Sequence, residues 1–324
     1  MMNLIGKVNK DNYTLFNRSD FSSYEVYLAL ADDAKYLPQM MERLNISSVH
    51  QPRKVDLCNM EKFGEDSYKA MRGMLEVLDS AGFVGTIVIH GNYFNERASN
   101  RLEHIKMLAK RVNSLLGGLK NPIKIAFETD VAFFNLIGSN RALLVSPDDF
   151  KILGSYLERP LNIVLDFEHI YISAIFERFA KEFPQFYQEV LTLADAESER
   201  IRPVREAWLD YLAAHEADVG WWVRESLEEF SRLNSFIMFF HINGTNYQTY
   251  WYDKKSFLPL VGEHLCLGEA ADRLDYKMLK EYLPKLTQKR PIDLVFEIWP
   301  RGATHDEYHK ESIKSAEFIK RVLC

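Results

Sequence analysis

Six apolar stretches of this chain stop on a residue able to ligate a metal or move a proton. Ser48-Val49 leads into His50, Ile87-Val88-Ile89 into His90, and Ile125-Ala126-Phe127 into Glu128. Val164-Leu165 leads into Asp166, with His169 three residues on; Met238-Phe239-Phe240 leads into His241, and Leu294-Val295-Phe296 into Glu297. One imidazole ending an apolar run is ordinarily a half-buried, hydrogen-bonded side chain. Six acids and imidazoles from successive runs differ: gathered in one place, they repel or lack solvation unless a cation compensates them. Carboxylate with imidazole and no thiolate suits Zn2+ or Mn2+ and also admits Fe2+ or Co2+. The expected chemistry is that of divalent ions, which polarise bound oxygen and make water a nucleophile at neutral pH.

The runs that carry these residues are Asn3–Val8, Tyr24–Leu30, Ile46–His50, Gly85–His90, Ile123–Glu128, Leu161–Asp166, Phe236–His241 and Asp293–Glu297. They show little apolar/polar alternation, the pattern of parallel strands buried on both faces. Helical patterns lie between most of them: Asp33–Leu44, Glu65–Ala81 closing at Gly82, and Glu96–Leu116 closing at Gly117-Gly118. Ser146-Pro147-Asp148-Asp149 reads as a cap opening a helix to Leu157, and Asp275–Leu286 and Asp306–Leu323 follow the last two runs. Eight strands alternating with helices predict an α/β fold, a (β/α)8 TIM barrel, with a long doubly wound sheet as the alternative. In a barrel the C-terminal strand ends converge on one mouth, so all six residues would share a pocket. The segment 170–235 breaks the rhythm; rich in Glu, Ala, Phe and Trp and divided at Pro203, it reads as a helical insertion after the sixth strand of a single domain, 1–324.

Composition excludes little but is consistent. A hydrophobic fraction of 47% and a charged fraction of 27% are ordinary for a globular chain. No apolar run approaches the length of a bilayer span, and the first residues lack the apolar core of a signal peptide. Cys58, Cys266 and Cys324 form no CxxC pair or disulfide framework, so a cytoplasmic location is expected. A net charge of −6 argues against general affinity for nucleic acid but leaves room for a local basic groove. Trp208, Trp221 and Trp222 read as packing, whereas Tyr247, Tyr250, Trp251 and Tyr252 with Lys254-Lys255 would suit a phosphorylated or nucleic-acid ligand.

Taken in order, His50-Gln51-Pro52-Arg53, Ile89-His90-Gly91, Phe127-Glu128-Thr129, Asp166-Phe167-Glu168-His169, His241-Ile242-Asn243, His264-Leu265-Cys266-Leu267-Gly268-Glu269 and Phe296-Glu297 resemble the signatures of the xylose-isomerase-like TIM barrels. Within them the pattern is most similar to the endonuclease IV type of apurinic/apyrimidinic endonuclease (AP endonuclease family 2), with sugar-phosphate isomerases and epimerases as relatives. The resemblance runs from His50 to the C-terminus. It implies a shared four-ligand core of Glu128, Asp166, His241 and Glu297, with Glu128 bridging to a second ion on His50 and His90. It implies a third ion on His169 and His264, so two or three divalent ions in all. The implied activity is hydrolysis of a phosphodiester, with Glu128 and Glu297 as catalytic groups. The alternative is a sugar or sugar-phosphate isomerase or epimerase in which the same two carboxylates transfer a proton. The substrate would be phosphorylated, either damaged DNA or a small sugar phosphate, with Arg53, Asn243, Asn246 and Arg301 as contacts. Two departures stand out. Gly262-Glu263-His264 replaces the family's Asp-x-His, leaving Glu263 or Asp253 as carboxylates for the third ion, and Arg53 replaces an aromatic.

Overall fold

A computed structural model describes residues 2–95, 100–132, 140–185, 201–247, 264–288, 290–299 and 303–323. Eight strands form a closed barrel: β1 (Met2–Val8), β2 (Ser23–Tyr27), β3 (Ile46–His50), β4 (Thr86–His90), β6 (Lys124–Glu128), β8 (Ile163–Asp166), β9 (Ile237–Ile242) and β10 (Ile292–Phe296). All pairings are parallel, and β1 closes on β10 with Met2 opposite Ile292 and Ile5 opposite Val295. That closing pair rules out an open doubly wound sheet. A short antiparallel pair, β5 (Tyr93–Asn95) with β7 (Asn140–Ala142), links the loops that leave β4 and β6.

The helices are α1 (Leu37–Arg43), α2 (Lys62–Ser80), α3 (Arg101–Leu115), α4 (Pro147–Tyr156), α5 (Phe167–Glu182), α6 (Ile201–Ala214), α7 (Glu216–Ser231), α8 (Tyr276–Leu286) and α9 (His305–Leu323). Their starts follow local chemistry. Asn100 accepts from the Leu102 amide to open α3, and Asp275 caps α8 through two amides. Ser146 and Asp149 form a capping box on α4 with Pro147 in its first turn. The stretch read as one helix over Asp33–Leu44 is divided, Ala31–Tyr36 being 3-10 and α1 following it. None of the described helices is long and apolar enough to cross a membrane.

Segment 170–235 carries most of α5 and all of α6 and α7; α5 begins at Phe167, directly off β8, and residues 186–200 lie outside those described. Trp208 of α6 is fully buried against Phe176 and Phe179 of α5, and its indole N–H donates to the Tyr247 carbonyl at 3.1 Å. Tyr211 stacks on Trp222 at 5.6 Å, so these aromatics pack the helices of the segment against one another. Trp221 remains exposed, with the Arg178 guanidinium over its ring.

The apolar core divides in two. A large cluster fills the space between strands and helices, while Ile5, Val88, Ala126, Val164, Phe239 and Val295 form a small plug within the barrel. Side chains on a strand return to the same face every second residue. Two residues beyond each plug residue stand Lys7, His90, Glu128, Asp166, His241 and Glu297. The polar layer is therefore stacked on the apolar one towards the C-terminal strand ends, where layered barrels of this kind build their sites.

Candidate metal centre

Glu128 lies at the heart of the layer and is fully buried. Its two oxygens face different partners. Oε2 lies 3.2 Å from His50 Nε2 and 3.4 Å from His90 Nε2, and the two imidazole nitrogens are 3.0 Å apart. Oε1 lies 2.9 Å from His241 Nδ1, which is also 2.8 Å from Glu297 Oε2. Donor atoms of Asp166 complete this second set within 4.8 Å. The structure thus gathers two ligand groups, His50–His90–Glu128 and Glu128–Asp166–His241–Glu297, with one carboxylate common to both.

These residues fit divalent ions on three grounds. The donors are imidazole and carboxylate, which suit Zn2+ or Mn2+. The 3.0–3.4 Å edges of the first group match the spacing of about 3.3 Å set by tetrahedral bonds of about 2.0–2.1 Å. Asp166 Oδ2 is buried without a hydrogen-bond partner among the described residues, while Oδ1 accepts from the His169 amide at 3.0 Å. A buried lone pair of this kind is costly unless something positive meets it.

Each imidazole is held by its other nitrogen. His50 Nδ1 meets the Gln51 carbonyl at 2.9 Å and His90 Nδ1 meets Asp130 Oδ1 at 2.8 Å. His241 Nε2 meets both oxygens of Glu25, at 3.2 and 3.3 Å. Such contacts fix the ring orientation and the tautomer that presents a lone pair to an ion. Without an ion, protons supply the positive charge. Burial disfavours the charged form of His90, but Glu128 and Asp130 outweigh it and raise its pKa to about 9. His241 is likewise driven well above the ordinary range, against its burial, by Glu128, Glu25 and Glu297. Glu128 and Glu297 are held well below the usual carboxylate range despite burial, the first chiefly by His241 and His90, the second by Lys7 and His241. Asp166 is raised by burial, with His169 only partly offsetting it.

Several participants carried no motif. Lys7 hydrogen-bonds Glu297 and lies 3.3 Å from Glu25 Oε1; its ammonium is buried, yet these carboxylates raise its pKa. Glu25 is fully buried and accepts from the Ser48 hydroxyl at 3.0 Å; His241 and Lys7 pull its pKa down to about 2 against the effect of burial. Asp130 was equally missed. The available signal was a single charge inside an apolar strand, as in Ile5-Gly6-Lys7-Val8 and Tyr24-Glu25-Val26.

Neither His169 nor His264 belongs to a group of three or more gathered ligands among the described residues. His169 is buried with Nδ1 on the Thr129 carbonyl. His264 stands at φ 52° with Nδ1 3.5 Å from Glu168 Oε2 and 3.0 Å from Asn243 Nδ2. Glu168, wholly buried, is thus the carboxylate beside His264, whereas Asp253, Gly262 and Glu263 lie outside the described residues. Of the expected substrate contacts, Arg53 is exposed on the loop after β3, Asn243 is fully buried against His264, and Asn246 is buried. Arg301 and the Tyr250–Lys255 stretch lie outside the described residues.

No protein-family model matches the chain, and no curated protein does. Solved structures do. A D-tagatose 3-epimerase-like protein is 15% identical, with a TM-score of 0.58 over 99% of this chain and 97% of the other. A xylose isomerase domain protein from Planctomyces limnophilus is 10% identical, with a TM-score of 0.53 over 99% and 98%. Endonuclease IV from Thermus thermophilus is 16% identical, with a TM-score of 0.51 over 99% and 98%. Identities this low speak to architecture alone: the closed parallel barrel of this chain is the fold of these solved structures, matched over nearly their whole length.

Proposed function

We propose that this chain is a divalent-metal-dependent enzyme whose two-ion centre hydrolyses a phosphodiester. The observation that carries the reading is Glu128, whose two oxygens serve two separate ligand groups. An enzyme that only polarises a carbonyl has no need of His50 and His90, placed opposite Glu128 and braced by Gln51 and Asp130. Bound ions would lower the pKa of water and stabilise charge on phosphoryl and leaving oxygens. Within the chain, Glu128 spaces the two groups and orients an attacking water, and Glu297 and Asp166 complete the second group. Arg53, exposed on the loop leaving β3, is suited to a phosphate oxygen of damaged DNA or of a small sugar phosphate. The test is nicking of a duplex bearing one abasic site, by Zn2+- or Mn2+-loaded protein beside a Glu128→Gln control. Cleavage lost in the control supports the reading; bound metal without cleavage of the duplex or of small phosphodiesters refutes it.

A second reading, a sugar or sugar-phosphate isomerase or epimerase, has its own support. Glu128 Oε1 and Glu297 Oε2 meet at the same nitrogen of His241, at 2.9 and 2.8 Å. Two carboxylates beside one ion position are what proton transfer next to a polarised carbonyl requires. Most of the structural neighbours bear epimerase or isomerase names. Turnover of a ketose-phosphate panel that survives His50→Ala and His90→Ala would decide for this reading.

A further inference from the structure

We infer that Glu25 is a positioning residue of the centre: it accepts the Nε2 proton of His241 and so presents Nδ1 to the ion between Glu128, Asp166 and Glu297, with Lys7 as its buried counter-charge. The inference rests on the metal-dependent reading above. A ring nitrogen that ligates must carry a lone pair, so the proton of neutral His241 has to sit on Nε2. Both Glu25 oxygens lie at that nitrogen, at 3.2 and 3.3 Å. Glu25 and His241 are both fully buried, which leaves bulk water no part in holding the ring. Glu25 belongs to neither gathered ligand group among the described residues, so it acts through His241 and not on the ion itself.

A purely structural ion pair explains less. Lys7 already has Glu297 as a partner, and burying a second carboxylate beside it carries a desolvation penalty that Coulomb attraction often fails to recover. The Ser48 hydroxyl at Oε2 and the Lys7 ammonium at Oε1 instead pin the Glu25 carboxylate so that both oxygens converge on one imidazole nitrogen. His90 with Asp130 and His50 with the Gln51 carbonyl repeat the arrangement, so each of the three imidazoles is braced from behind.

The test compares the wild-type chain with Lys7→Met/Glu25→Met and with Glu25→Gln, using Zn2+ and Co2+ alone as probes. Affinity is measured by chelator competition, coordination by the Co2+ absorption spectrum, and folding by the metal-free thermal midpoint. Replacing both charges of a buried pair with apolar groups is commonly neutral for stability. The double variant is therefore expected to fold, to bind one of its ions about 10–100-fold more weakly, and to show a shifted Co2+ spectrum. Glu25→Gln keeps a carbonyl acceptor and is expected to fall between the two. Unchanged affinity and spectrum in the double variant overturn the inference. Should that variant not fold, Glu25→Gln decides, and identity with wild type in affinity and spectrum overturns it. A wild-type chain that takes up neither ion removes the metal-dependent reading and the inference together, a result distinct from metal-binding wild type with indifferent variants.

Discussion

The metal-free protein should lose stability as pH rises through the range in which most proteins are indifferent, and His90 is the reason. Its folded pKa is about 9 against an ordinary 6.5, a rise of roughly 2.5 units, worth about 3 kcal/mol at about 1.4 kcal/mol per unit. Because the folded value is raised, that stabilisation is fully present below pH 6.5 and is lost as pH climbs through about 9. Binding of an ion runs the other way, since Nε2 must give up its proton to ligate. At pH 7, two units below the folded pKa of about 9, proton competition should weaken metal uptake about 100-fold relative to pH above 9. The assay is urea unfolding of chelator-treated protein at pH 6, 7.5 and 9, with His90→Gln alongside and a metal titration at each pH. His90→Gln should be flatter by about 3 kcal/mol across the window. Wild-type stability that is level between pH 6.5 and 9, or a slope unchanged by His90→Gln, would refute the electrostatic picture of the site.

Three further outcomes follow from the same geometry. Glu128→Gln removes the carboxylate common to both ligand groups, so elemental analysis should show both ions weakened together; loss of only one would show that the groups are independent. His264→Ala should leave the metal count at two, because His264 faces Glu168 and Asn243 and is not gathered with either group; a fall from three ions to two would restore the third site. Trp208→Ala empties a fully buried indole position and strands the Tyr247 carbonyl, so unfolding free energy should drop by about 3–5 kcal/mol, and a change under 1 kcal/mol would mean that α6 is not docked as seen.

Much of this architecture was legible because apolar runs and strand ends have a strict geometry. Ile46–His50 was read to the residue, and the other seven strands lie within a few residues of their expected limits. His50, His90, Glu128, Asp166, His241 and Glu297 stand out because each ends a run, and period-two alternation then carries them to one face. Lys7, Glu25 and Asp130 did not stand out. A charge within a strand has a meaning only once its neighbours across the barrel are known, and Lys7 meets Glu297 at a separation of 290 residues. The acidic neighbour of His264 was illegible for a related reason. Spacing along the chain paired His264 with Gly262 and Glu263, but the backbone turns at His264 and gives it Glu168, from a different strand end, as its acidic neighbour.

On the metal-dependent reading proposed above, the charge balance of the layer would suit two ions better than one or three. Glu25, Glu128, Asp130, Asp166 and Glu297 bring five carboxylates, and Lys7 is the ammonium among them. With the imidazoles neutral, as ligation demands, four negative charges remain. One divalent ion would leave half of that charge uncompensated in a buried site, where unpaired charge costs several kcal/mol per group. Three would overshoot by two charges, and by one even with Glu168 counted, which is turned to His264. Two ions neutralise the layer, and they are also what the divided allegiance of Glu128 would hold. Without metal, raised imidazole pKa values supply part of the same compensation with protons, which is why metal content and pH response should change together.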